Sequence, residues 1–337
     1  MDSNKKAGGP SWVSVIRKYN QPDKRKSIWQ IINSLGPYLV LWAVMYYTLG
    51  ISYWITLGLS LLAAGFLIRI FIIFHDCGHG SFFKSSRTSR VVGTILGALV
   101  FTPYDRWHRS HAAHHSTVGN LDKRGDGDVW TVTTDEYLAM KPGERLIYRL
   151  YRHPILLFGI GPVILFTIWF RFNTKKAGRK ERWNTYLVNL IILTWCVGLS
   201  LLMGWKAFLM IQIPVILIAT SAGSWLFYVQ HQFEEVIWSH NDDWDYQEMA
   251  LRGSSFLKTP RIIQWFSGNI GFHHIHHLSP KIPNYNLPRC HEENQMFASI
   301  QPITIAKGLK TMKFRLWDEN LGRLITFRLL KKESINL

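Results

Sequence analysis

The strongest constraint on this chain is a pair of apolar runs with almost nothing between them. Residues 31–50 carry no charge, and residues 53–74 carry only Arg69. About 20 apolar residues in a helix cross a hydrocarbon core roughly 30 Å thick, so each run is long enough to span. The joint at Ile51 and Ser52 leaves room only for a tight turn. The two runs therefore form a hairpin whose outer ends share one side. Residues 186–203 and 207–230, joined by Gly204-Trp205-Lys206, make a second hairpin. The expected fold is an all-α polytopic membrane protein with two transmembrane helical hairpins, about four spans.

Composition agrees. Hydrophobic residues make up 47% of the 337 and charged ones only 18%, and the apolar runs near spanning length set the chain apart from an ordinary soluble domain. Fifteen Trp and thirteen Tyr fit interfacial aromatic belts. A net charge of +17 raises the question of nucleic acid. The basic residues flank the apolar runs, however, which is the pattern of positive cytoplasmic loops lying against anionic lipid. No nucleic-acid partner is expected; a basic surface also suits an acidic protein. Cys77, Cys196 and Cys290 have neither zinc-pair spacing nor a disulfide framework, pointing to a reduced, cytoplasm-facing protein. The first 27 residues hold seven Lys/Arg against two Asp and lack the apolar core of a cleavable signal peptide.

The basic N-terminus puts the outer ends of the hairpins in the cytoplasm. Residues 91–101 are apolar but too short to cross and read as interfacial or re-entrant. Residues 154–170 end at a basic run, 171–182, with six Lys/Arg and one Glu, and contain Gly159, Gly161 and Pro162. With both flanks cytoplasmic this is a re-entrant or surface-lying helix. After residue 231 no run is long enough to span. The organisation expected is a basic cytoplasmic N-terminus (1–30), a transmembrane region (31–230) with an intervening cytoplasmic segment (75–185), and a helical cytoplasmic cap (231–337), with both termini and the active site cytoplasmic.

Nine of fourteen histidines fall on this framework in a pattern. His75 and His79 stand at i and i+4. His111, His114 and His115 stand at i, i+3 and i+4, sharing a helix face and aimed at one point. His273, His276 and His277 repeat the spacing, and His231 follows the last span. All nine lie on one side of the bilayer. A lone histidine is usually a packed residue, as expected for His153, His240 and His291. Nine imidazoles exceed what one ion can take; two ions with four or five each account for them. Imidazole suits zinc, copper, iron and nickel. A structural zinc site takes four ligands, often with Cys. A histidine-rich pair with open positions suits iron that binds dioxygen, although ligand type alone leaves the metal open. The spacing of His75 and His79 is also that of a zinc-protease motif, but that reading leaves seven histidines without work. Asp76, Asp122, Asp128, Glu234 and Asn269 are candidates to orient ligand imidazoles through their second nitrogen. His108 and His274, off the shared faces, are expected beside the ligands or as structural residues. Trp107 and Trp130, near the second cluster, are either walls of a substrate tunnel or core aromatics.

At the three clusters the sequence resembles the membrane fatty acid desaturases, whose histidine boxes read here His75-Asp-Cys-Gly-His79, His111-Ala-Ala-His114-His115 and His273-His-Ile-His276-His277. The phrases Asn120-Leu121-Asp122, Gly268-Asn-Ile-Gly-Phe-His273 and Pro283-Asn284-Tyr285 resemble the bacterial and plastid acyl-lipid branch, of omega-6 and Δ5/Δ12 type. The resemblance implies a helical cap holding two iron ions, with His231 as the extra ligand after the last span and O2 as co-substrate. The substrate would be a membrane-lipid acyl chain. An external donor, ferredoxin or flavodoxin, would supply electrons in a bacterial inner membrane, since the His-Pro-Gly-Gly of a fused haem domain is absent. Phe227 stands where the animal acyl-CoA branch has an Asn holding a water, so that water's support must differ. Similar boxes serve di-iron hydroxylases or ketolases of alkanes, sterols or carotenoids. A metal transporter would need ligands midway across the bilayer.

Overall fold

The computed structural model describes residues 12–125 and 127–333. The basic stretch at 1–11 lies outside them. Four helices among the described residues are long and apolar enough to cross a membrane. They are α1 (Lys24–Leu49), α2 (Tyr53–His79), α6 (Arg179–Met203) and α7 (Trp205–His231). Between α2 and α6 lie α3 (Ser86–Leu99), α4 (Tyr104–Thr117) and α5 (Pro142–Tyr151). Beyond α7 lie α8 (Arg261–Phe266) and α9 (His273–Leu278).

Each spanning helix outruns its apolar stretch at one end. The Asp23 carboxylate caps α1 by accepting from the backbone N–H groups of Arg25 and Lys26. At 27 residues, α2 and α7 are each about 40 Å long, against a hydrocarbon core of about 30 Å. Their last turns therefore project out of the apolar layer, and those turns carry His75, His79 and His231. Gly80, at φ 63°, closes α2 in the left-handed conformation that favours glycine.

The central post is α2, packed against α1, α3, α4, α7 and α8. Tyr38, Leu41, Trp42 and Met45 of α1 join Ala63, Leu67, Ile70 and Phe74 of α2 and Phe208, Ile211 and Val215 of α7 in the main core. The outer faces are apolar as well. Trp183, Leu187, Leu190, Leu193, Val197 and Leu201 run along α6 exposed, a face that only lipid makes favourable.

The apolar run 91–101 becomes α3, capped by Ser85 and laid along α2. Its Gly93 and Gly97 admit Tyr104 and the Thr102 carbonyl to within 2.3 and 2.4 Å of where a Cβ would stand. Residues 155–171 form an irregular helix bent 57° from α5. Both ends are tied to the histidine-bearing pole. Buried Arg152 donates to Gln232 Oε1 and to the Phe314 carbonyl, each at 3.0 Å. At the far end, Arg106 of α4 donates to the carbonyls of Trp169 and Phe172.

The region after α7 and the loop after α4 are not purely helical. Short strands β1 (Val132–Thr133), β2 (Phe256–Lys258), β3 (Pro302–Thr304), β4 (Leu316–Asp318) and β5 (Arg323–Ile325) form two small sheets, ordered β1-β4-β5 and β2-β3. Runs of two or three residues are too short for strand alternation to register in a sequence. The three-stranded sheet pins the C-terminal segment against the loop that follows α4.

Candidate metal centre

Four segments bring histidines together. The first two come from the projecting end of α2. α4 lies across it, fixed by the Tyr104 hydroxyl donating to the Cys77 carbonyl at 2.7 Å and by Arg109 in a two-point contact with Glu181 of α6. α7 delivers His231. α9 is held by Tyr246, whose hydroxyl donates to the His277 carbonyl at 2.7 Å.

The nine imidazoles sort into two groups. His75, His79, His111, His115 and His276 form one; His114, His231, His273 and His277 form the other. Within each, one ring nitrogen per residue lies within 4.8 Å of all the others. The i, i+3, i+4 triplets do not aim at one point. Steps of 100° per residue put i and i+4 about 40° apart, but turn i+3 about 100° from i+4. So α4 gives His111 and His115 to the first group and His114 to the second. α9 does the reverse, giving His273 and His277 to the second and His276 to the first.

The arrangement fits metal ions and little else. His114 Nδ1 faces Asp128 Oδ1 at 2.5 Å, and His231 Nδ1 faces the Gly253 carbonyl at 3.2 Å. Against an acceptor each Nδ1 must carry the proton, leaving a bare lone pair on each Nε2. Those two Nε2 atoms stand 3.0 Å apart. His75 Nδ1 faces Asp76 at 3.2 Å, and His75 Nε2 lies 3.1 Å from His111 Nε2. Buried lone pairs at this separation repel unless a cation lies between them. Nitrogens about 2.1 Å from one ion, with bonds at right angles, stand about 3.0 Å apart. The other Nε2 contacts match: His111–His115 and His115–His276 at 3.1 Å, His231–His273 at 3.0 Å. His79 Nε2 and both ring nitrogens of His277 are buried without a hydrogen-bond partner.

Electrostatics keeps the donors available. Burial, then the neighbouring imidazoles, holds His111, His115, His273, His276 and His277 well below the ordinary histidine pKa. Burial pushes the Asp128 carboxyl up, but the hydrogen bond and charge of His114 outweigh it and leave Asp128 below the carboxylate range. Asp128 is thus an anion aimed at the back of His114.

The expected supporting residues divide. Asp76 and Asp128 stand behind His75 and His114. Asp122 instead receives His240 Nδ1 and the Asn241 N–H, each at 2.8 Å, because the loop after α4 folds away from the imidazoles. Glu234 is exposed just past α7. Asn269, at φ 59°, donates to the Asn284 carbonyl at 3.1 Å and accepts from Gln264 at 3.0 Å instead of facing an imidazole. His108 is stacked over Tyr104 outside both groups. His274 is fully buried among Phe256, His291 and Phe297; burial lowers it to about 3, and it too lies outside both groups.

Sequence reasoning missed Asn284 and Gln30. Asp76 Oδ2 accepts from the Asn284 backbone N–H at 2.7 Å and its amide at 2.8 Å, while Asn284 Oδ1 accepts from Gln30 at 2.8 Å. The phrase Pro283-Asn284-Tyr285 was the only signal. Trp107 proves more than a core aromatic: it stacks on His111 with centroids 4.3 Å apart and touches Phe71 and Phe74. Trp130 packs on Tyr148 and Tyr151, away from the centre. Phe227 lies 5.2 Å from His114. Beside it a cavity of about 20 Å³, lined also by Asp128, His231 and Gly253, has room for one water.

The fatty acid desaturase family model matches residues 51–302, three quarters of the chain, spanning all three boxes. The chain belongs to the fatty acid desaturase family. It is 46% identical to a fatty acid desaturase of Bacillus subtilis over 96% of this chain and 92% of that one. It is 27% identical to the sn-1 acyl-lipid omega-3 desaturase (ferredoxin) of a Nostoc species, over 81% and 76% of the two chains. The sn-1 oleoyl-lipid 12-desaturase of a Synechocystis species is also 27% identical, over 75% and 70%. Members of this family are oxidoreductases that act on acyl chains, and the four spans make this one a membrane enzyme.

Proposed function

We propose that this desaturase introduces a cis double bond into the acyl chain of a membrane lipid, using O2 and two electrons from an external protein. The observation that carries the reading is the five-plus-four grouping of imidazoles from α2, α4, α7 and α9. His75, His79, His111, His115 and His276 would hold one iron; His114, His231, His273 and His277 the other. When bound, the pair supplies the oxidation: one O2, two electrons and two protons enter, adjacent methylenes each lose a hydrogen, and two waters leave.

The chain's own residues prepare the site. Asp76, Asp128 and the Gly253 carbonyl hold protons on three Nδ1 atoms, fixing which nitrogen faces the metal. Asn284 and Gln30 keep the Asp76 carboxylate in place. The cap excludes water from the imidazoles. Trp107, stacked on His111 and partly buried beside Phe71, offers an apolar wall against which one carbon pair can be aimed. The projecting ends of α2 and α7 let an acyl chain pass from the leaflet to the metals.

Three further features belong to this reading. The basic flanks of the spans support a cytoplasmic site and cytoplasmic termini in the cell membrane, with residues 1–30 as a basic arm, 31–230 as the membrane region and 231–337 as the cap. A ferredoxin or flavodoxin is the donor, supported by the +17 charge and by the ferredoxin-dependent relative. The lipid-borne acyl group is supported by the acyl-lipid relatives. Expression in a host making only saturated lipids, followed by fatty-acid analysis, tests the function. New double bonds in extracted lipid are expected; hydroxylated chains, or no change with fully metal-loaded protein, would contradict it.

A further inference from the structure

α8 is a six-residue helix in a region with no run long enough to span, yet it does not sit at the level of the cap. Trp265 and Phe266 pack on Phe66 of α2, with ring centroids 5.8 and 5.1 Å apart. A Cβ on Gly65 would lie 3.0 Å from the Phe266 ring, so glycine is what lets α8 come this close. Gly65 is ten residues before His75, about 15 Å down the helix from the metal pole. Counting about 20 residues of hydrocarbon from Tyr53, Gly65 and Phe66 lie about 10 Å inside the apolar layer.

The outer face of α8 agrees with that depth. Ile262 is 67% exposed, Ile263 40% and Trp265 37%. No Asp or Glu occurs between Glu248 and Glu292, and Lys258 and Arg261 stand only at the entry to α8, where long side chains reach back to headgroups. The backbone is also finished as a lipid environment demands. The Asn269 N–H donates to the Gln264 carbonyl and the Gly268 N–H to the Trp265 carbonyl. Arg69 completes the end. Its guanidinium donates to the Trp265 carbonyl, lies 3.8 Å from the Trp265 ring centre, and donates from Nε to Ser34 Oγ at 3.1 Å. Arg69 is therefore buried and spent on closing α8 rather than reaching the headgroups.

We propose that residues 259–268 form a foot of the cap that dips into the hydrocarbon, with membrane-lipid acyl chains as the partner of Ile262, Ile263 and Trp265. From the foot the chain turns at Gly268, where φ is 53° and a Cβ would lie 2.7 Å from Ile72, and reaches His273 five residues later. The foot thus ties the third histidine cluster to the bilayer as well as to α2.

The test uses the full-length protein in phosphatidylcholine/phosphatidylglycerol vesicles, with nitroxide labels at Ile262→Cys, at Leu62→Cys on the exposed face of α2, and at Asp242→Cys on the cap surface. A Cys196→Ser background is used, since Cys77 and Cys290 are buried. The 262 label is expected to collide with oxygen in preference to a nickel chelate, as the 62 label does. Chelate access equal to that at 242 would overturn the proposal. Should Ile262→Cys fail to fold, the fluorescence lost in Trp265→Phe serves instead. Quenching of that component by mid-chain brominated lipid supports the foot; quenching by aqueous iodide alone overturns it.

Discussion

Asp128 is the residue whose role is easiest to isolate, since it touches His114 and belongs to neither group of histidines. Asp128→Ala should weaken metal binding about 10–100-fold, measured by competition with a chelator. His115→Ala should lose iron and activity together. Asn284→Ala leaves a buried oxygen of Asp76 without its amide donor, a cost of about 1–3 kcal/mol read as a lowered Tm. His240 offers a pH test away from the centre. Glu319 and then Asp122 raise its pKa, so the imidazolium contact is present below the ordinary value near 6.5 and is lost as pH rises through the raised folded value. A histidine NMR titration should place its midpoint above 6.5, moving down in Glu319→Gln. At this scale the nine histidines were legible because helical spacing marks them. Asn284 and Gln30 were not, because they meet across 254 residues and nothing local in the sequence encodes that meeting.

Among the elements, α2 and α4 are packed closely enough to require a glycine. A Cβ on Gly78 would stand 2.6 Å from the Trp107 ring, which is itself held against His111. Gly78→Ala should therefore displace Trp107 and cost about 1–3 kcal/mol in thermal unfolding, with a changed environment at His111. Arg152 joins the end of α5 to α7 and to the C-terminal segment with 0% exposure and with backbone and side-chain oxygens as acceptors. Arg152→Met leaves several buried oxygens without donors and should cost at least about 3 kcal/mol. The spans were legible because twenty apolar residues have few alternatives. Their polar extensions were not: α2 runs unbroken through the first histidine cluster, where apolarity stops but helical geometry does not. The triplets revealed which histidines act together but not that each helix divides them between two groups. α8 and the short strands escaped because six residues or fewer carry no period.

At the scale of the molecule, two hairpins longer than the hydrocarbon core is thick lift histidines from α2 and α7 out of the apolar layer, and α4 and α9 bring the rest onto them. The nine rings are scattered over more than 200 residues of sequence and converge at one pole, as three clusters on one side of a membrane must if they serve one site. Which of the candidate carboxylates stand behind an imidazole, the stacking of Trp107 and the foot at α8 were set by tertiary contact, beyond the reach of patterning. Iron per chain, counted by elemental analysis on purified, active enzyme alongside its desaturation rate, bears most directly on the two-ion reading. Two irons per chain are predicted, with activity falling as either is removed; full desaturation by protein holding one iron or none would contradict it.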